Sequence, residues 1–349
     1  MIKLNELLKE LSLEFGPSGY EDMVKAKIRE KISHCVDENS ELYEDKVGNL
    51  IYHIKGEGKP KLMINAHMDE VGLMVTQITD KGEAFFGSVG GIDPIVLSGK
   101  RVISENGILG TIMTKPVHLL TSEEREKVCP ISEMVIDIGA RDKQDCEKYV
   151  NVGDYFVFLV DYMELGKDLI CGKALDDRLG CAIMVRLICQ LYEDKKELDY
   201  DLYFAFTGRE EISYSTAFGA TENIKPDYAI VLESKAVADL PSVAEEKKVS
   251  ILGDGGIVSF ADKGAIYDRG LTDHIINLCK KADIKYQVNK FVSGGNDSAN
   301  IQKSIGGVKV AVISAGSRYI HSSSNVISRA DFESIYKATY EVITNDRIN

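Results

Sequence analysis

The sequence of 349 residues contains no tryptophan and no excess of positive charge. Sugar-cleaving sites usually use aromatic side chains as platforms, so the missing tryptophan argues against a glycosidase. The chain has 42 Lys and Arg residues against 55 Asp and Glu residues, a formal charge of -13. Because phosphate backbones and anionic lipid surfaces require a basic face, we expect neither nucleic acid nor membrane among the partners.

Long apolar runs and closely paired cysteines are also missing. No run approaches the roughly 20 apolar residues that cross a bilayer, and residues 1–6 are charged and amphipathic, unlike a secretory signal. The seven cysteines are scattered and form no Cys-x-x-Cys pair. This pattern is typical of reduced thiols, and we therefore expect a cytoplasmic protein.

The pattern of predicted strands and helices changes twice along the chain. From Gly172 onward, predicted strands and helices alternate, which indicates an α/β layer with helices over a mostly parallel sheet. Earlier, short β-rich runs separated by turn residues are typical of a small barrel or sandwich. These runs are Gly72–Ile78, Ala84–Val89, Arg101–Ser104, Ile108–Met113, Val135–Ile138 and Tyr155–Val160.

These patterns predict an α/β protein with a mixed sheet flanked by helices. Residues 1–70 and 166–349 would form this discontinuous main domain, and residues 71–165 would form a small β-rich domain inserted into it. Within the main domain, Asn49–Ile54 and Leu62–Ile64 are predicted to be strands joined by a hairpin-type connection.

Histidine and carboxylate residues occur just after predicted strands or at the start of a predicted helix. They are His67, Asp176, Glu210, Glu211, Glu233 and His321. Ligands of open α/β sheets bind beyond the carboxyl ends of the strands, so these side chains are expected to converge. Taken alone, each is more often a helix cap, a solvated acidic patch or a structural histidine. Their joint occurrence favours a site.

Imidazole and carboxylate ligands suit zinc, cobalt or manganese. A bridging carboxylate can hold two such ions about 3.5–4 Å apart, where they acidify a shared water. One further carboxylate must remain off the metals to carry protons. The residue types therefore predict a hydrolytic site with two divalent cations.

Four motifs in this order resemble the M42 family of dinuclear metallo-aminopeptidases, which includes glutamyl aminopeptidases. The motifs are Asn-Ala-His-Met-Asp-Glu-Val-Gly at 65–72, Ala-Leu-Asp-Asp-Arg-Leu-Gly at 174–180, Arg-Glu-Glu at 209–211 and Arg-Tyr-Ile-His-Ser at 318–322. The resemblance implies a zinc-peptidase type of α/β domain with an inserted PDZ-like or barrel-like dimerisation domain. It also implies homo-oligomers in which dimers assemble into dodecamers, acting on short peptides.

The resemblance further implies a role for each candidate residue. Asp176 would bridge two metal ions, His67 and Glu233 would complete the shell of one, and Glu211 and His321 that of the other. Glu210 would be the general base, and Asp69 would orient the ring of His67.

Two other functions stay open at this point. The same site would serve a deacylase of N-acylated amino acids, and a catalytically impaired oligomeric binding protein is a further alternative. The sequence departs from the family at Glu233, where Asp is common, and at Ile212-Ser213, where Val-Gly is common. No basic cluster can be assigned to a pocket for acidic side chains, so a glutamyl preference is not predicted.

Overall fold

The computed structural model describes residues 3–345 and 347–348. Within that part, no helix has both the length and the apolar character needed to cross a membrane. The α-helices are α1 Leu4–Leu13, α2 Asp22–Ile32, α3 Ser122–Arg125, α4 Lys143–Cys146, α5 Leu175–Asp194, α6 Ala217–Ile224, α7 Arg269–Lys281, α8 Ser298–Lys303 and α9 Arg329–Thr344.

The strands form one large mixed sheet and one closed barrel. Those of the sheet are β1 Ser40–Glu44, β2 Leu50–Ile54, β3 Lys61–His67, β10 Met163–Leu165, β11 Leu169–Gly172, β12 Asp201–Thr207, β13 Tyr228–Ala236, β14 Gly256–Val258, β15 Tyr286–Val288, β16 Lys309–Arg318 and β17 Asn325–Ser328. Those of the barrel are β4 Gly72–Ile78, β5 Ala84–Val89, β6 Arg101–Ser104, β7 Leu109–Met113, β8 Val135–Asp137 and β9 Tyr155–Phe158.

The centre of the sheet is parallel and its margins are antiparallel. The strand order is β1-β2-β12-β3-β13-β16-β17-β11-β10, with β14 beside β16 and β15 beside β14. Strands β12, β3, β13 and β16 run parallel to one another. This arrangement confirms a mixed sheet flanked by helices.

The predicted hairpin between β2 and β3 is wrong. Strand β12 lies between them, antiparallel to β2 and parallel to β3, and β2 instead forms a hairpin with β1. Residues Leu50 to His53 of β2 are all buried, and a buried strand needs hydrogen-bonding neighbours on both edges. Strand β1 is mostly polar and half-exposed, so it lacks the apolar pattern that would reveal it in the sequence.

Helices cover both faces of the sheet because alternate strand residues point in opposite directions. In β12, Leu202, Phe204 and Phe206 belong to the core that includes residues of α1, α2, α5, α7 and α9. Tyr203 and Ala205 of the same strand belong to a smaller core shared with α6 and α8. Helix α5 lies deepest, and every residue from Leu175 to Cys189 is buried.

The six β-rich runs between Gly72 and Val160 are confirmed as the strands of a barrel. Strand β9 pairs with both β4 and β6, which closes the order β4-β5-β8-β7-β6-β9. The barrel has its own apolar core, which includes Leu73, Phe86, Ile136 and Phe156. The sequence left barrel and sandwich open, and the structure has the barrel.

Candidate metal centre

The candidate ligands meet at the carboxyl ends of the parallel strands. His67 is the last residue of β3 and stands level with Thr207 of β12. Glu233 was expected just beyond its strand but lies inside β13, because the pairing of β13 with β16 continues to Ala236. Asp176 stands at the beginning of α5, which packs against β3 and β13. Residues from three elements therefore face one another across this edge.

His67, Asp176 and Glu233 form a first group of potential metal ligands. The Nε2 atom of His67 is 3.5 Å from Oδ1 of Asp176 and 3.7 Å from Oε1 of Glu233. All three side chains are buried. The group is therefore shielded from bulk water.

Asp176 also belongs to a second group, with Glu211 and His321. The Nε2 atom of His321 is 3.2 Å from Oδ2 of Asp176 and 3.0 Å from Oε2 of Glu211. Asp176 thus turns one carboxylate oxygen toward each histidine. This is the arrangement that a bridging ligand requires.

Both groups have the dimensions and the chemistry of a divalent cation site. With metal–ligand bonds of about 2.0–2.1 Å, the edge of a coordination tetrahedron is about 3.4 Å. The four nitrogen–oxygen distances, from 3.0 to 3.7 Å, bracket this edge. In addition, Oδ1 of Asp176 is buried without a hydrogen-bond partner, which is costly for a carboxylate unless a cation completes its shell. The residues present therefore fit two cations.

Hydrogen-bond acceptors occupy the Nδ1 side of both imidazole rings. Nδ1 of His67 is 3.3 Å from the carboxylate Oδ1 of Asp69 and 3.2 Å from its backbone oxygen. Nδ1 of His321 is 2.8 Å from the backbone oxygen of Gly91, in the segment that follows β5 of the barrel. An N–H at Nδ1 leaves Nε2 free as a metal ligand in each ring. The role of Gly91 has no signal in the sequence, because any residue offers a carbonyl.

Asp69 holds more than one part of the site in place. Its carboxylate accepts hydrogen bonds from the backbone amides of Glu210 and Glu211, at 3.1 and 3.2 Å, and from Oγ of Ser18 at 2.5 Å. Burial alone would raise the pKa of Asp69, but the neighbouring His67 and these donors bring it below its usual value. An ionised Asp69 therefore links the first histidine to the Glu210-Glu211 pair.

Glu210 lies beside the two groups and belongs to neither. It lines a cavity of about 350 Å³ together with Asp176, Glu233 and His321. Burial raises the pKa of Glu210 to about 9; the charge of His67 opposes this shift, and the carboxylates of Asp297, Glu211 and Asp176 add to it. Positive charge in the site would offset both the burial and the repulsion.

Two residues near Glu210 were missed as functional candidates. Asp297 is buried, and its Oδ2 accepts hydrogen bonds from Asn65 and Thr207, both at 2.8 Å. Lys235 lines the cavity, and its Nζ donates to the backbone oxygen of Ser293 at 3.1 Å. Lys235 follows Glu233 by two positions in β13 and so points to the same side of the sheet. A prediction that extended this strand beyond Leu232 would have revealed Lys235 as a candidate.

The site also rests on a fully buried arginine. Arg178 donates hydrogen bonds to the backbone oxygens of Met68, Leu11 and Gly16 at 2.6, 2.5 and 3.1 Å. These bonds tie the residues after β3 and the segment before α2 to the start of α5. Arg178 therefore supports the site through its contacts with the backbone.

Comparison of the chain with known proteins defines it as a peptide hydrolase. A family model described as M42 glutamyl aminopeptidase matches residues 48–337. The chain therefore belongs to the M42 family of aminopeptidases.

Individual relatives match the chain over nearly its full length. A protein of Acetivibrio thermocellus with a provisional aminopeptidase name is 36% identical over 339 residues, 97% of this chain and 98% of that protein. A lysyl aminopeptidase of Pyrococcus furiosus is 29% identical over 95% of this chain and 94% of its own length. The TET1 peptidase of Pyrococcus horikoshii, which assembles into a tetrahedron or a large octahedral shell, has a TM-score of 0.87 at 31% identity, covering 99% of this chain and 100% of that one.

Proposed function

We propose that the protein is an aminopeptidase that removes amino-terminal residues from short peptides with two divalent cations. The observation that carries this proposal is the carboxylate of Asp176, which turns one oxygen toward each of two histidines. His67, Asp176 and Glu233 would hold one cation, and Asp176, Glu211 and His321 the other. Zinc or cobalt suits these ligands best, and manganese is also compatible.

Bound cations at these positions would polarise the scissile carbonyl and make the attacking water more acidic. Glu210 accepts the proton of that water and passes it to the leaving amine. Asp69 positions this base, since it accepts a hydrogen bond from the backbone amide of Glu210 while facing the ring of His67.

The charge of the cavity favours an aminopeptidase over a deacylase. Carboxylates of Asp176, Glu210 and Glu233 surround the space next to the site. A free α-ammonium group can pair with such a carboxylate, whereas a neutral N-acyl group cannot. Leucine p-nitroanilide and its N-acetylated form distinguish the two reactions. Cleavage of the acetylated substrate alone would contradict the proposal.

The central test is Glu210→Gln. Loss of the base should lower kcat by about 10²–10⁴-fold, while the zinc content measured by mass spectrometry stays at that of the wild type. Glu246→Gln, which changes an exposed glutamate, is the matched control and should keep full activity. Normal peptide hydrolysis by the Glu210→Gln enzyme would disprove the mechanism. Near-zero metal after incubation of the wild type with zinc or cobalt would favour a binding protein.

We further propose that the barrel of β4–β9, within residues 71–165, is a dimerisation domain and that dimers assemble into dodecamers. The shell-forming TET1 relative supports this assembly. The barrel exposes large apolar side chains suited to an interface, among them Leu109, Val117 and Leu119. Light scattering after size exclusion separates a monomer, a dimer and a dodecamer. The cytoplasmic location stays a prediction.

A further inference from the structure

A second group of metal-binding side chains lies away from the catalytic site. It consists of His34 and Cys35, in the single 3₁₀ turn that follows α2, and Cys189 in the last part of α5. Cys189 follows Asp176 by 13 positions, and at 1.5 Å per residue this places it about 20 Å from the catalytic carboxylate. The two sites are therefore separate.

The three ligand atoms have the spacing of a tetrahedral zinc site. The Sγ atoms of Cys35 and Cys189 are 3.8 Å apart, and Sγ of Cys35 is 3.5 Å from Nε2 of His34. Zinc bonds of about 2.3 Å to sulfur and 2.0–2.1 Å to nitrogen give tetrahedral edges of about 3.8 Å between sulfurs and about 3.5 Å between sulfur and nitrogen. All three ligand atoms lie within 4.8 Å of one another. The ligands thus need little movement to bind a cation.

The surroundings suit a site at the edge of the core. Cys35 is fully buried and Cys189 is 6% exposed, while His34 is exposed and packs edge-on against the ring of Tyr192. A cation held there would be shielded by the core on the sulfur side and open to solvent on the histidine side. Three protein ligands and one solvent position are sufficient for zinc.

The two thiols differ in pKa before any metal binds. Cys35 donates its S–H to Cys189, which raises the pKa of Cys35 and lowers that of Cys189. The charge of Arg186 also lowers the pKa of Cys189, and burial opposes this effect. The carboxylate of Glu193, one helical turn beyond Cys189, adds negative charge near both sulfurs, which favours a cation.

We propose that His34, Cys35 and Cys189 form a further metal site, which takes a thiophilic divalent cation such as Zn²⁺ independently of the catalytic pair. Both sulfurs bind as thiolates, so binding of the cation releases the thiol proton of Cys35 and that of Cys189 to solvent. No electron transfer is involved. The bound cation would join the end of α2 to the end of α5.

Cobalt is the probe that separates this site from the catalytic one. The full-length protein is reduced, freed of metal with a chelator and titrated with Co²⁺. Binding at the cysteines should produce near-ultraviolet thiolate-to-cobalt charge-transfer absorption, which the sulfur-free catalytic ligands cannot give. The Cys189→Ser variant should lose this absorption and bind one zinc fewer per chain, while its peptidase activity stays unchanged. Cys279→Ser, which removes a buried thiol of α7, is the matched control and should keep all three.

A second variant covers the case in which Cys189→Ser fails to fold. His34 is exposed, so His34→Ala should fold and weaken zinc binding at this site by more than about tenfold, since loss of an outer-shell partner alone costs 10–100-fold. Two results would overturn the proposal: no charge-transfer absorption in the wild type, or absorption unchanged in both variants. Failure of the catalytic proposal would leave the charge-transfer result untouched.

Discussion

Lys235 brings an ammonium group to the cavity beside the candidate metal centre. Burial lowers its pKa, and the charges of Asp262 and Glu233 oppose this effect. Within residues 3–345 and 347–348, its Nζ donates one hydrogen bond, to the backbone oxygen of Ser293. An ammonium group has three donors, so it can also bind a substrate carboxylate. Family membership does not set the preference, because the family description names glutamate and one relative is a lysyl aminopeptidase.

We therefore expect the enzyme to favour peptides that begin with an acidic residue. Lys235→Met should lower kcat/KM for glutamyl p-nitroanilide by about 10–100-fold, the value of a hydrogen bond to a charged group. Activity on leucyl p-nitroanilide should change little, since its side chain makes no ionic contact. Lys247→Met, at an exposed position, is the control. An equal loss on both substrates would instead mean that Lys235 supports the cavity wall.

Helix α5 approaches strand β3 so closely that one position on the helix must be glycine. A Cβ atom on Gly180 would lie 2.8 Å from Cβ of Ala66 in β3 and 2.5 Å from the carboxylate of Asp177. Since β3 ends at His67 and α5 begins beside Asp176, this contact sets the distance between these two candidate ligands. Motif residue Gly180 therefore has a packing role.

Gly180→Ala should destabilise the protein although alanine is the better helix former. Overpacking costs about 1–3 kcal/mol, which exceeds the gain of up to about 1 kcal/mol in helix propensity. Gly270→Ala in α7 is the matched control, because its nearest neighbour would be an oxygen of Asp268 at 3.4 Å. Urea unfolding should give a lower midpoint for the first variant and an equal or higher midpoint for the second. Equal midpoints would show that the helix can shift away from β3.

For the whole molecule, the cluster of buried carboxyl groups links folding to pH and to metal. Burial is the main cause that raises the pKa of Glu211 and of Glu233. It also raises the pKa of Glu210, to about 9. Burial lowers the pKa of His321, but Asp176 and Glu211 outweigh it and raise the value to about 11. All these groups bind protons more tightly in the folded than in the unfolded chain.

The metal-free protein should therefore lose stability as the pH rises. Between the unfolded pKa values, near 4.5 for Glu and 6.5 for His, and the folded values, the folded state holds extra protons. For each extra proton, the free energy of unfolding falls by about 1.4 kcal/mol as the pH rises by one unit. Thermal unfolding in chelator, from about pH 6 to about pH 9, should show this decline.

Metal should replace the protons and restore stability at high pH. A cation at 100 times its Kd stabilises the folded state by about 2.7 kcal/mol per site. The zinc-loaded protein is the comparison, and its melting temperature should fall less over the same range. A chelated protein as stable as the loaded one at about pH 9 would contradict a metal role for this cluster.

Local sequence patterns predict much of this fold. The six barrel strands are short β-rich runs between turn residues, and each was predicted within a few residues because this pattern needs no distant partner. The candidate ligands could also be selected, since His and carboxylate residues that follow parallel strands must share an edge. The structure brings all five together, while their metal roles stay predictions.

Contacts between segments that are distant in the chain could not be predicted from such local patterns. Strand β12 separates β2 from β3 although it begins only at Asp201, far along the chain from both, and Cys35 meets Cys189 across 154 positions. Lys235 enters the cavity only because pairing with β16 extends β13 beyond Leu232. Each of these depends on the burial and hydrogen bonding of complete elements, which local periodicity does not contain. Sequence periodicity accounts for His67 at a strand end, and packing accounts for what surrounds it.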